Sequence, residues 1–217
     1  MKDLNKYIEH TLLKPEATKE ELVKLFDEAV KHKFLGVCIN PCNVKFAKEY
    51  LKNEHIKIVT VAGFPLGASL NEVKALEAKT AIKNGADEVD MVINVGFLKN
   101  KKYDEVRKDI AAVKAACENT VLKVIIETDL LTKEEIVKAC LLCTEAKADF
   151  VKTSTGFVKN GVGARVEDIE LMYKTVSPYG LRVKASAGIR DREKAIEMIN
   201  AGASRLGTSS GVEIVKQ

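Results

Sequence analysis

The chain has 217 residues, 46% hydrophobic and 30% charged, with only four prolines and no tryptophan, which excludes a disordered or low-complexity protein and leaves enough length for a substantial core. Its formal charge of +4 comes from lysines interleaved with glutamates at helical spacing, a pattern of solvated helix faces that excludes a concentrated nucleic-acid-binding surface. No apolar run has the length of a membrane span or of a signal-peptide core, so a cytoplasmic protein with no nucleic-acid and no membrane partner is expected.

The opening Met1-Lys2-Asp3-Leu4-Asn5 is charged and broken, and the first β-branched run, 8–12, reads as a short strand. Thr18 and Glu21 then form a capping box that starts a helix, and strands follow at 36–40 and 56–62. A second box, Ser69 with Glu72, opens a helix that stops at Asn84-Gly85-Ala86 before a strand at 88–94. Tyr103, Val106, Ile110, Val113 and Cys117 recur at steps of three and four and form one core-facing helical stripe. After a strand at 121–127, Thr132 with Glu135 caps a helix containing Cys140 and Cys143. That CxxC has no second pair, and His10, His32 and His55 are scattered, so it reads as helix packing and no metal site is expected. The odd count of five cysteines points to reduced thiols. Strands at 150–154, 181–185 and 204–207 complete the pattern, the last preceded by a helix stop at Asn200-Ala201-Gly202-Ala203.

Several of these runs are apolar throughout, as in parallel strands covered on both faces. Eight β/α units averaging roughly 27 residues predict an α/β protein, a closed (β/α)8 TIM barrel, with residues 1–217 forming a single domain. An open doubly wound sheet is the competitor, but neither GxGxxG nor a P-loop is present.

In such a barrel, chemistry sits at the C-terminal ends of strands. Lys152 lies in Phe150-Val151-Lys152-Thr153-Ser154-Thr155-Gly156, where burial would drive the ammonium toward a neutral, nucleophilic amine. The segment Arg182-Val183-Lys184-Ala185-Ser186-Ala187-Gly188 repeats the pattern on the next strand. Lys184 is therefore expected to share a site with Lys152, each ammonium lowering the pKa of the other. The alternative reading is that one or both point to solvent at a strand terminus or clamp a phosphate as charged lysines. Asp90 interrupts an apolar strand and needs a partner; beside an amine it can carry protons, with a purely structural ion pair as the alternative. Ala187-Gly188 and Gly207-Thr208-Ser209-Ser210-Gly211 are expected to bind phosphate through backbone N–H groups and the last helix. Glu9-His10-Thr11 either hydrogen-bonds a polar substrate or serves as a helix entry or barrel plug, and Glu127 and Asp129 are further polar candidates that support the site.

Six ordered motifs carry a resemblance: Glu9-His10-Thr11-Leu12-Leu13-Lys14-Pro15, Gly36-Val37-Cys38-Ile39, Gly63-Phe64-Pro65-Leu66-Gly67, Glu88-Val89-Asp90-Met91-Val92-Ile93-Asn94, Phe150 to Gly156, and Val183-Lys184-Ala185-Ser186. Over essentially its full length the sequence resembles the deoxyribose-phosphate aldolases, a class I aldolase family. The resemblance implies reversible cleavage of 2-deoxy-D-ribose 5-phosphate to acetaldehyde and D-glyceraldehyde 3-phosphate in deoxyribose phosphate catabolism, without metal or cofactor, by a homodimer or homotetramer. It makes Lys152 the Schiff-base lysine, Asp90 the proton-transfer group, and Lys184 the residue that lowers the pKa of Lys152 and relays charge. It assigns Gly156, Gly188, Gly207, Ser209 and Ser210 to phosphate, and Glu9, Thr11 and Cys38 to the substrate pocket. Three positions depart from the family pattern: Glu9 stands in place of the usual Asp, Ala187 in place of the usual Gly, and Phe157 where some members have lysine. Two other readings of the residues are a sugar-phosphate isomerase or epimerase using Asp90 as base, and a non-catalytic phosphometabolite binder.

Overall fold

In the computed structural model, which describes residues 3–216, eight parallel strands close into a barrel in sequence order. Met1, Lys2 and Gln217 lie outside the described residues. The strands are β1 (Ile8–Leu12), β2 (Gly36–Ile39), β3 (Lys57–Ala62), β4 (Glu88–Val92), β5 (Val121–Ile125), β6 (Phe150–Lys152), β7 (Arg182–Ser186) and β8 (Ala203–Thr208). Each expected strand is present, and four of them, β2, β4, β5 and β6, are shorter at the C-terminal end than the apolar run that predicted them. There the chain leaves the ladder to form the loops of the active face. The helices are α1 (Lys19–His32), α2 (Val44–Tyr50), α3 (Asn71–Lys83), α4 (Val95–Lys99), α5 (Tyr103–Cys117), α6 (Lys133–Glu145), α7 (Val166–Val176), α8 (Arg192–Asn200) and α9 (Gly211–Lys216). No helix among the described residues is long and apolar enough to cross a membrane.

Two of the three capping boxes form. Thr18 and Thr132 each accept a hydrogen bond from the N–H of Glu21 or Glu135, whose side chain returns the bond. Ser69 does not cap α3. That helix begins two residues later, with Leu70 at the cap position and no side-chain bond there. The stripe on α5 is buried from Val106 to Cys117, and Cys140 and Cys143 are buried in α6 as helix packing.

Strand alternation divides the apolar side chains into two bodies. Ile8, Val37, Ile58, Val89, Leu122, Val151, Val183 and Leu206 join the helices in the large outer core. A small inner cluster of Leu13, Cys38, Val59 and Val61 fills only the β2–β3 side of the lumen. One register shift matters for the site. Val183 pairs with Ala203 but Lys184 pairs with Arg205, so Ser204 has no opposite residue. This bulge re-phases β8 and turns Arg205 inward beside Lys184.

Candidate active site

The rest of the lumen is filled with charge. Alternation sends Glu88 and Asp90 inward from β4, Lys123 from β5, Lys152 from β6, Lys184 from β7 and Glu9 from β1, all of them buried. Lys152 and Lys184 are register partners on adjacent strands, and both reach the same oxygen: Asp90 Oδ2 accepts from Lys152 Nζ at 2.8 Å and from Lys184 Nζ at 2.6 Å. Asp90 Oδ1 accepts from Lys123 Nζ at 3.0 Å. Lys123 also pairs with Glu88 at 2.6 Å, Lys184 pairs closely with Glu9, and Arg205 lies 3.5 Å from Glu9 and 3.7 Å from Glu88. Below this layer the Phe150 ring is flanked by the guanidinium groups of Arg182 at 4.1 Å and Arg205 at 5.4 Å.

Burial opposes the charge of Asp90, but Lys123, Lys152 and Lys184 together outweigh it and hold the carboxyl well below the usual carboxylate range. Burial likewise opposes the charge on Lys184, and Asp90 with Glu9 overcomes it, raising Lys184 above the ordinary lysine range. This corrects the expectation for one of the two lysines: Lys184 has two carboxylates and stays an ammonium. Lys152 has only the oxygen it shares with Lys184. Lys123, Lys152, Lys184 and the partly buried Arg205 thus face Glu9, Glu88 and Asp90, and Lys57 reaches Glu88 at 2.6 Å from the barrel rim.

Above it, a cavity of about 380 Å³ opens at the C-terminal ends of the strands, with Lys152 as its floor. Thr11, Gly156, Gly188, Gly207, Ser209 and Ser210 all line it, as expected. The N–H groups of Gly156 and Gly188 make no hydrogen bond among the described residues, and Ser210 N–H donates to Thr208 Oγ1 at 2.9 Å. Gly188 has φ +74°, and a Cβ there would fall 2.4 Å from the Val162 carbonyl oxygen, so only glycine fits. Ala187 takes the left-handed region as well, with φ 65°. Phe157 lines the mouth, edge-on to Phe64 at 5.2 Å.

Five expected residues stand elsewhere. Glu9 does not line the cavity; its longer side chain is drawn into the charge layer by Lys184, Lys123 and Arg205. Cys38 is buried in the inner apolar cluster, where desolvation pushes its thiol up. His10 points outward, with Nε2 2.9 Å from Glu28 of α1, because β1 alternation places it opposite Glu9. Glu127 and Asp129 reach the β6–α7 loop rather than the cavity.

Sequence reasoning missed Lys123, Glu88, Arg205, Lys14 and Arg190. Lys123 carried the same signal as Lys152, a lysine within an apolar strand. Arg205 becomes inward only through the bulge. Lys14 and Arg190 line the cavity and have no ion-pair partner among the described residues. A cationic rim without ion-pair partners among the described residues, uncommitted N–H groups and serine hydroxyls would suit an anion, and an amine beside a carboxylate below it suits imine and carbanion chemistry.

The sequence profile for the DeoC/LacD family aldolases matches residues 6–217. The chain is 60% identical over 213 residues to a deoxyribose-phosphate aldolase of Brevibacillus brevis, covering 98% of this chain and 95% of the relative. It is 57% identical to the protein of the same name from Thermococcus kodakarensis, covering 99% and 96% of the two chains. Among solved structures, it superposes on "QR15, an Aldolase" with a TM-score of 0.94 at 41% identity, covering 100% of this chain and 96% of that one. A tetrameric deoxyribose phosphate aldolase from Aeropyrum pernix gives a TM-score of 0.91 at 33% identity, covering 99% and 90%.

Proposed function

Because this chain belongs to the DeoC/LacD family of aldolases and has deoxyribose-phosphate aldolase activity, we propose that the reaction runs through a Schiff base on Lys152, with Asp90 moving protons and Lys184 as the fixed cation. The observation that carries this reading is the amine of Lys152 at the cavity floor, 2.8 Å from an Asp90 oxygen that Lys184 also holds.

In cleavage, the free amine of Lys152 attacks the aldehyde carbon of open-chain 2-deoxy-D-ribose 5-phosphate, and the carbinolamine loses water to give an iminium. Removal of the C3 hydroxyl proton lets the C2–C3 bond break, and its electron pair flows into the iminium. D-Glyceraldehyde 3-phosphate leaves and an enamine remains on Lys152. The enamine carbon then takes a proton, and water hydrolyses the new iminium to release acetaldehyde and the amine. Asp90 accepts and returns these protons, directly or through a water. Lys184 keeps Asp90 ionised and in place. The phosphate sits on Gly156, Gly188, Gly207, Ser209 and Ser210, with Lys14 and Arg190 supplying charge at the rim where Phe157 supplies none.

This scheme uses no metal or cofactor, so EDTA should leave the rate unchanged. The five free thiols support a reducing, cytoplasmic setting for a one-domain enzyme. Leu66, Leu70, Val73 and Leu76 form an exposed apolar stretch along and before α3 that supports assembly as a homodimer or homotetramer, measurable by light scattering.

Incubation with acetaldehyde or deoxyribose 5-phosphate, reduction with borohydride and peptide mapping tests the scheme. A reduced adduct is expected on Lys152; a folded enzyme that turns over without one would overturn it.

A further inference from the structure

The loop after β6 carries Thr155 and Gly156 into the cavity wall, and a buried carboxylate from the neighbouring loop holds it from behind. Glu127 Oε1 accepts from Thr155 N–H at 3.0 Å, and Glu127 Oε2 accepts from Thr155 Oγ1 at 2.5 Å. Thr155 Oγ1 in turn accepts from Phe157 N–H at 3.1 Å. These three bonds define the turn at 155–157, and Gly156, at its centre, has φ +84° with its own N–H uncommitted among the described residues.

Glu127 is 4% exposed and itself adopts a left-handed backbone, φ 61° and ψ 65°. For a residue with a Cβ that conformation is strained, and it persists where surrounding contacts fix it. Here it aims both carboxylate oxygens at one residue. Asp129, two positions on, fastens the far side of the same loop by accepting from Gly163 N–H at 2.8 Å and pairing with Arg165 at 3.0 Å. Ala164 N–H closes it onto the β7–α8 turn through Ala187 O at 3.1 Å.

We propose that Glu127 is a positioning residue for the phosphate end of the substrate: by gripping both hydrogen-bond donors of Thr155 it sets the direction in which Gly156 offers its N–H to the phosphate. The inference rests on the phosphate assignment made above. Glu127 acts on discrimination between phosphorylated and unphosphorylated sugar, and leaves the amine chemistry at Lys152 to the charge layer.

The test compares kcat/KM for deoxyribose 5-phosphate with that for 2-deoxyribose in the wild type, Glu127→Gln, Thr155→Val, their double variant and Thr155→Ser. Glu127→Gln and Thr155→Val should each lower the ratio of the two kcat/KM values about tenfold, mainly through KM for the phosphorylated sugar. The double variant should be no worse than either single change, since both break one grip, and Thr155→Ser should retain the wild-type ratio. A ratio that stays at the wild-type value while both activities fall together, or losses that add in the double variant, overturns the proposal. If Glu127→Gln fails to fold, Thr155→Val and Thr155→Ser alone decide it. A wild type that does not favour the phosphorylated sugar would instead remove the phosphate assignment, and absence of a trapped Lys152 adduct would remove the Schiff-base scheme.

Discussion

At the residue scale, Asp90 joins charge balance to chemistry. Asp90→Asn keeps the shape but withdraws the proton acceptor, and kcat should fall by ~10²–10⁴-fold, with little change in KM, in a steady-state cleavage assay. Lys123 tests a different property of the same group. It touches Asp90, Glu88 and Glu9 and does not line the cavity. Lys123→Met leaves buried carboxylates uncompensated and should cost about 3–5 kcal/mol, read from urea unfolding. Legibility in the sequence followed the same line. Lys152, Lys184 and Asp90 stood out because a charge in an apolar strand needs a partner, and the structure joins them through one oxygen. For Glu9 the sequence leaves substrate contact and barrel plug both open, because it shows that a residue is near the strand end without showing whether cations below or substrate above will claim its carboxylate.

At the element scale, the strands and most helices were legible because two-sided burial and 3.6-residue periodicity leave strong patterns. Helix starts were less so. Thr132 works as a cap because both of its box bonds form, whereas Ser69 matches the same pattern and caps nothing. Thr132→Ala should therefore lower stability by ~1 kcal/mol while Ser69→Ala changes the urea midpoint little. The β8 bulge was illegible. It is set by pairing with β7, and no local propensity of Ser204 or Arg205 announces which of them will turn inward.

At the scale of the whole molecule, the barrel couples folding to pH. Burial works against ionised Glu88, but Lys123 and Lys57 prevail and hold it at about 2. Its folded pKa lies below the unfolded value of about 4.3, so the unfolded chain takes up the proton first as pH falls. The stabilisation is complete above that unfolded value and is lost as pH drops from there toward 2. Denaturant midpoints should fall steeply over that window, and Glu88→Gln, starting from a lower plateau, should show a shallower decline. The lumen has a further consequence, and it concerns heat. Barrel interiors of branched hydrocarbon draw their stability from water release, which levels off as temperature rises, whereas the cost of dehydrating ions declines on heating. The ion layer of Glu9, Glu88, Asp90, Lys123 and Lys184 therefore weighs least against the fold in the hot range, where oily packing has stopped gaining.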